Sequence, residues 1–261
     1  MSATAEATTP TTAVVIPQWS KARILKTWAL AALPMALAAW VVAPLLAHFV
    51  FDGPTALPQA LLISLTAGLG WIAVLSIWLV WREQRSLRWS VLRDALRLHA
   101  PTSPKTGRRG GRVWWVVLPF TLLFATEQLT PGLPVPSTRD MGVFLGSHVG
   151  HSMLDGAWGW FAFIVVMAVL NTVVGEELFF RGVLLPRMEG AFGRGDWLAN
   201  GGLFALYHLH VPWMIPTVLI DMFALAYPAR RYRSTLVSIA IHSSQSVMIV
   251  LLTLGVVLGL G

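Results

Sequence analysis

From Thr27 to Phe51 the chain carries no Asp, Glu, Lys or Arg. Wound as an α-helix, a run of that length rises roughly 37 Å, more than the ~30 Å hydrocarbon core of a bilayer. In hydrocarbon every backbone N–H and C=O needs a partner within the protein, and a helix supplies them all locally. Similar runs recur at about Leu57–Trp81, Val113–Leu129, Ala157 into the 173–182 stretch, Trp197–His210, Trp213–Tyr227 and Thr235–Leu258. Charged residues make up only 12% of the chain, about half the soluble norm. The pattern predicts an all-α fold: a polytopic transmembrane helical bundle of about seven spans. An interfacial amphipathic helix accompanies it, with Leu87, Val91 and Leu98 on one side and arginines on the other.

The chain divides into three parts. Residues 1–18 are polar, Thr-rich and without period, and read as a disordered cytoplasmic tail. Residues 19–156 hold the first spans and a basic loop at 82–112, and residues 157–261 form a second bundle. The first apolar run is too long for a signal-peptide core and reads as a retained span. With the N-terminus inside, the cytoplasmic segments hold 18 of the 19 Lys and Arg, and Arg139 alone falls outside them. That is the positive-inside pattern of a multi-pass cell-membrane protein. It also accounts for the net charge of +7 with the lipid bilayer as partner and no nucleic acid. The absence of cysteine leaves neither disulfides nor thiolate metal ligands.

Against this apolar background, the ionisable groups within or beside spans stand out: Glu127, Glu176, Glu177, Arg181, His208, His210, Asp221 and His242. An unpaired charge in hydrocarbon costs about 2.5–3.5 kcal/mol even on a lenient scale, so such groups point to function. Glu177 and Arg181, spaced i,i+4, share a helix face and can pair. Glu176, about 100° away on the helix, is left facing the bundle interior, placed to act as a general base. Glu176 with His208 can hold and deprotonate one water, and His242 can donate to the oxyanion of a tetrahedral intermediate. This is peptide hydrolysis without a covalent nucleophile.

Glu176-Glu177-x-x-x-Arg181, Phe204-x-x-x-His208 and His242 on a later helix resemble, in order and spacing, the three motifs of the type II CAAX prenyl endopeptidases and their bacterial CAAX-protease and bacteriocin-processing relatives. The resemblance covers roughly residues 160–255. It implies an intramembrane endopeptidase whose cavity opens toward the cytoplasm, with a peptide or membrane-protein segment as substrate. In that family the residues matching Glu176 and His208 activate water, and the one matching His242 stabilises the oxyanion; Glu177 and Arg181 would support the site. Where the family usually has Asn, four residues after the last histidine, this chain has Ser246, a shorter hydrogen-bond donor. Gln245 carries an amide but is expected to point about 100° away.

No cofactor is expected. The zinc signature H-E-x-x-H is missing, and Glu176, His208 and His242 are the residues that would ligate zinc if it bound. Asp221 is expected to accept a hydrogen bond from His208 or to bind Arg181. His210 is read as interfacial, its ring diverging from that of His208 on a helix, and His148 and His151 as solvated in an outer loop. The Gly193-Arg194-Gly195-Asp196 tetrapeptide resembles an aspartyl-protease motif but lacks the second aspartate on an earlier span. Two other readings compete with the protease: a non-catalytic membrane scaffold or bacteriocin-immunity-type protein of the same fold, and a proton-coupled transporter, which the lack of paired repeats weakens.

Overall fold

The structure is a computed structural model that describes residues 14–129, 133 and 138–260. It is all-helical, with no β-strand among the described residues. Helix α1 spans Lys21–Phe49 and α2 spans Ala56–Gln84; a short α3, Trp89–Ala95, follows. Next come α4 at Gly111–Ala125, α5 at Met141–Leu145 and α6 at His148–Leu154. Helix α7 runs Trp158–Arg187, α8 Asp196–Tyr207, α9 Pro212–Val218, α10 Met222–Arg231 and α11 Thr235–Val257.

Each of the seven predicted spans coincides with helix, but the count of seven is not confirmed. Among the described residues, α1, α2, α7 and α11 are long and apolar enough to cross a membrane. Helices α9 and α10, bent by 50° at their junction, make a fifth if taken as one broken span. Helix α4 is apolar but short, and a 12-residue α-helix such as α8 rises only about 18 Å. The amphipathic helix is likewise shorter than expected, seven residues at α3. The chain beyond it is tied down: Thr235 Oγ1 donates to Leu96 O (2.7 Å) and Thr102 N to Tyr232 O (2.9 Å), which fixes the start of α11.

The tail reading needs correction over Val14–Gln18. Gln18 Nε2 donates to Pro186 O at 2.9 Å, and Val15 O accepts from Gln84 Nε2 at 2.8 Å. These bonds give the extended segment fixed partners on α2 and α7. Residues 1–13 lie outside the described residues. Close by, Glu83 collects the indole of Trp19 (2.8 Å), Arg23 (3.0 Å) and the fully buried Arg187 (2.7 Å). This network clamps the basic ends of α1, α2 and α7 together.

Two features position the second bundle. A Cβ on Gly201 would collide with the backbone of Met222, so only glycine lets α8 cross α10 this closely. At the other end of α8 the helix tightens into a 3₁₀ turn at His208–His210, which leaves terminal carbonyls without helical donors. Trp40 of α1 supplies one donor, Nε1 to Leu209 O at 2.8 Å, and Trp28 Nε1 adds a bond to Leu203 O at 2.7 Å, one turn before the end of α8.

Candidate active site

Two stretches of α7, Leu170–Gly175 and Leu178–Leu184, wind as wider π-helical turns on either side of Glu176 and Glu177. Such turns inside helices recur at functional sites. The carboxylates diverge as the sequence predicts. Glu177 is fully buried, and its Oε1 lies 3.3 Å from Arg181 Nη1. Glu176 lines a cavity of about 960 Å³ that also receives Phe204, His208, Asp221 and His242. Of the eight candidate site residues, Glu176, Phe204, His208, Asp221 and His242 are at the cavity wall and Glu177 and Arg181 are paired directly behind it; Ser246 is the exception described below.

Glu177 does more than pair with arginine. Its Oε1 is 3.0 Å from His242 Nδ1. A carboxylate only accepts, so Nδ1 carries the proton and donates, which leaves Nε2 as the free ring atom of a residue on the cavity wall. His208 is fixed by similar logic: Nδ1 lies 2.9 Å from Phe204 O, four residues back. A carbonyl cannot donate, so Nδ1–H is the donor and Nε2 keeps its lone pair. Phe204 ties the groups together, because the Arg181 guanidinium sits 4.1 Å from its ring centroid and the His208 ring 4.9 Å away, edge-on. A cation over an aromatic face is attracted by the ring quadrupole. This explains why the phenylalanine of the second motif matters to the arginine of the first. Tyr207, buried, lies in electrostatic range of Glu176, yet its hydroxyl meets no partner in hydrogen-bond geometry.

Several expectations are corrected. The His208 and His210 rings do not diverge: they stack at 5.3 Å and 28°, because the segment is a 3₁₀ turn rather than α-helix. His210 and His151 both line the cavity instead of lying at an interface or in solvent. Asp221 is buried and lines the cavity, but its Oδ1 has no hydrogen-bond partner, so neither His208 nor Arg181 binds that atom. Ser246 is turned away from the cavity: its hydroxyl lies 3.4 Å from Ala168 O and 3.3 Å from Thr172 Oγ1, in the contact between α11 and α7. Gln245 takes the cavity position instead. On α11 the cavity face centres on His242, Gln245, Ile249, Leu252 and Val256, with Met248, Leu251 and Gly255 beside them, a broad helix face built on three- and four-residue spacing.

Glu127 gains a place that the sequence did not assign. It is 6% exposed on the cavity wall, in electrostatic contact with His242 and Asp221. Nothing local in the sequence distinguishes it from a glutamate at the end of a span; only the packing of α4 against α11 brings it in. Among the described residues no three His, Asp or Glu side chains converge closely enough to hold a metal ion. Glu176, His208 and His242, as arranged here, do not fit the zinc set considered from the sequence.

The cavity has a direction. Along α11 it follows His242 to Leu260, away from the arginines at 230, 231 and 233. On α8 it meets Phe204, His208 and His210, at the end opposite Asp196. Asp140, Gly142 and His151 complete that end. It reaches the surface beside Leu252 and Leu260, which are 56% and 77% exposed.

Residues 158–248 match the family model described as Rce1-like, type II CAAX prenyl endopeptidase. The matched segment contains the motif residues of α7, α8 and α11 described above and covers about a third of the chain. No curated protein and no solved structure matches the chain.

Proposed function

We propose, starting from the type II CAAX prenyl endopeptidase match of residues 158–248, that this membrane protein is an intramembrane endopeptidase that uses water as its nucleophile. Glu176 takes a proton from a water held between its carboxylate and His208 Nε2. The hydroxide adds to the scissile carbonyl, and His242, acting as the imidazolium whose Nδ1–H Glu177 holds, donates Nε2–H to the oxyanion together with the Gln245 amide. As the C–N bond breaks, Glu176 returns its proton to the leaving amine, so protons and electrons balance without a covalent intermediate. Glu177 and Arg181 hold His242 in place. No step requires a metal.

The observation that carries this reading is the division of labour between two adjacent carboxylates. Glu177 is spent on Arg181 and His242, while Glu176 stands on the cavity wall with the histidine of the second motif. A general base positioned this way contributes typically about 10²–10⁴-fold in rate. Gln245 answers the departure at Ser246, since it brings an amide to the wall where the family pattern has one four residues after the histidine.

We place the cytoplasm at the basic end of the bundle, by the positive-inside rule. We assign the opening of the cavity to the opposite face, whereas the family resemblance implies a cytoplasmic one. The substrate is a peptide or membrane-protein segment taken from the bilayer or from that face. The test is cleavage of a library of membrane-protein-derived peptides by the purified protein in detergent, read by mass spectrometry. Cleavage that disappears in Glu176→Ala and in His208→Ala supports the protease. Equal background in all three proteins favours the scaffold reading.

A further inference from the structure

The cavity is acidic in a way that the proposed hydrolysis does not use. Glu127, Asp140, Glu176 and Asp221 line it, and among the described residues no Lys or Arg does. Asp140 is occupied: it caps α5 by accepting from Val143 N at 3.0 Å and accepts from Trp213 Nε1 at 3.1 Å. Glu176 is the proposed base. That leaves Asp221 and Glu127, which lie in electrostatic contact with each other. Asp221 is 2% exposed and its Oδ1 has no hydrogen-bond partner. The guanidinium in electrostatic contact with Asp221, that of Arg181, is bound to Glu177 and sits over the Phe204 ring.

A buried carboxylate without a partner is costly, and that cost is relieved when a cation docks against it. Asp221 sits at the break between α9 and α10. Irregular backbone at membrane depth is tolerated where it lines a cavity. Around the two acids the wall is apolar, with Met214, Val218 and Met248 among its side chains. The fitting ligand is therefore an apolar segment that carries one positive charge.

We propose that Asp221 and Glu127 form a subsite for a cationic side chain of the substrate, a lysine ammonium or arginine guanidinium in an otherwise apolar peptide. This rests on the protease reading for its place in catalysis, but not for its binding. A carboxylate that meets an ammonium in a desolvated pocket should favour the charged peptide by about tenfold or more.

The test uses two labelled apolar peptides of Ala and Leu, identical except for one central residue, lysine or its neutral isostere norleucine. Binding is read by fluorescence anisotropy on full-length Glu176→Ala protein in detergent, so that no cleavage is needed. The expected result is a lysine preference of about tenfold or more that falls to near unity in Glu176→Ala/Asp221→Asn and in Glu176→Ala/Glu127→Gln. Melting temperatures of all variants establish that they are folded. If Asp221→Asn fails to fold, the Glu127→Gln arm and the salt dependence of the lysine preference decide the matter. Equal affinity for the two peptides, or a preference that survives both substitutions, overturns the subsite. A lysine preference without any cleavage by wild type would keep the subsite and overturn the protease.

Discussion

Glu177 Oε1 stands between two partners, 3.0 Å from His242 Nδ1 and 3.3 Å from Arg181 Nη1. One oxygen thus joins the first motif, on α7, to the third, on α11. The glutamate that the sequence pairs only with its helix neighbour also holds Nδ1–H and sets the orientation of the histidine across the cavity. Histidines in active sites are commonly fixed in this way, by what their second nitrogen binds.

Glu177→Gln separates positioning from chemistry. The glutamine oxygen can still accept from His242, but the charge that balances Arg181 is gone. Removing one partner of a buried ion pair costs about 3–5 kcal/mol. The expected outcome is a melting temperature several degrees lower and a reduced kcat, both partly restored by Arg181→Met in the same protein. Thermal unfolding and steady-state cleavage check it.

Gln245 and Ser246 are adjacent but face different surroundings. Gln245→Ala removes a cavity amide and should lower kcat by about 10²-fold with little change in KM, the signature of a lost oxyanion donor. Ser246→Ala removes a hydroxyl from the α7–α11 contact and should cost about 1 kcal/mol of stability or less, with a change in kcat of no more than a few-fold. Kinetics of the two single variants side by side distinguish the assignments.

Gly201 tests the crossing that holds Asp221 in place. A side chain there meets the Met222 backbone, which cannot swing aside. Gly201→Val should destabilise the protein by about 1–3 kcal/mol or more, whereas Gly202→Ala, with open space around it, should be tolerated. Expression yield and melting temperature in detergent report the difference.

The lack of native cysteine makes sidedness measurable without background. Leu252→Cys at the cavity rim and Ser103→Cys in the basic loop should react with a membrane-impermeant thiol reagent from opposite faces of sealed membranes. Labelling of both from one face would contradict the orientation assigned to the cavity.

The apolar runs and the basic loops made the helical membrane fold legible, because burial in lipid forces long uncharged segments. The spacing of Glu177 and Arg181 likewise made their pairing legible, since i,i+4 neighbours meet on any helix. What could not be read were relations created by departures from α-geometry and by packing. The stacking of His208 on His210 depends on a 3₁₀ turn. The exchange of roles between Gln245 and Ser246 depends on how α11 is rotated against α7. Glu127 enters the cavity wall only through the contact of α4 with α11, and among the described residues four or five helices are long and apolar enough to cross a membrane where the apolar runs number seven. The Trp28 and Trp40 bonds to α8 were hidden for the same reason: a tryptophan count cannot say which carbonyl an indole reaches.

Glu176, not Glu177, is the carboxylate proposed to move the proton. The most direct measurement is single-turnover cleavage of a peptide identified from the library, by wild type and by the isosteric Glu176→Gln variant, with peptide binding measured in parallel. The expected result is a rate at least about 10²-fold lower in Glu176→Gln with peptide affinity within a few-fold of wild type. A variant that binds and cleaves at the wild-type rate would contradict it.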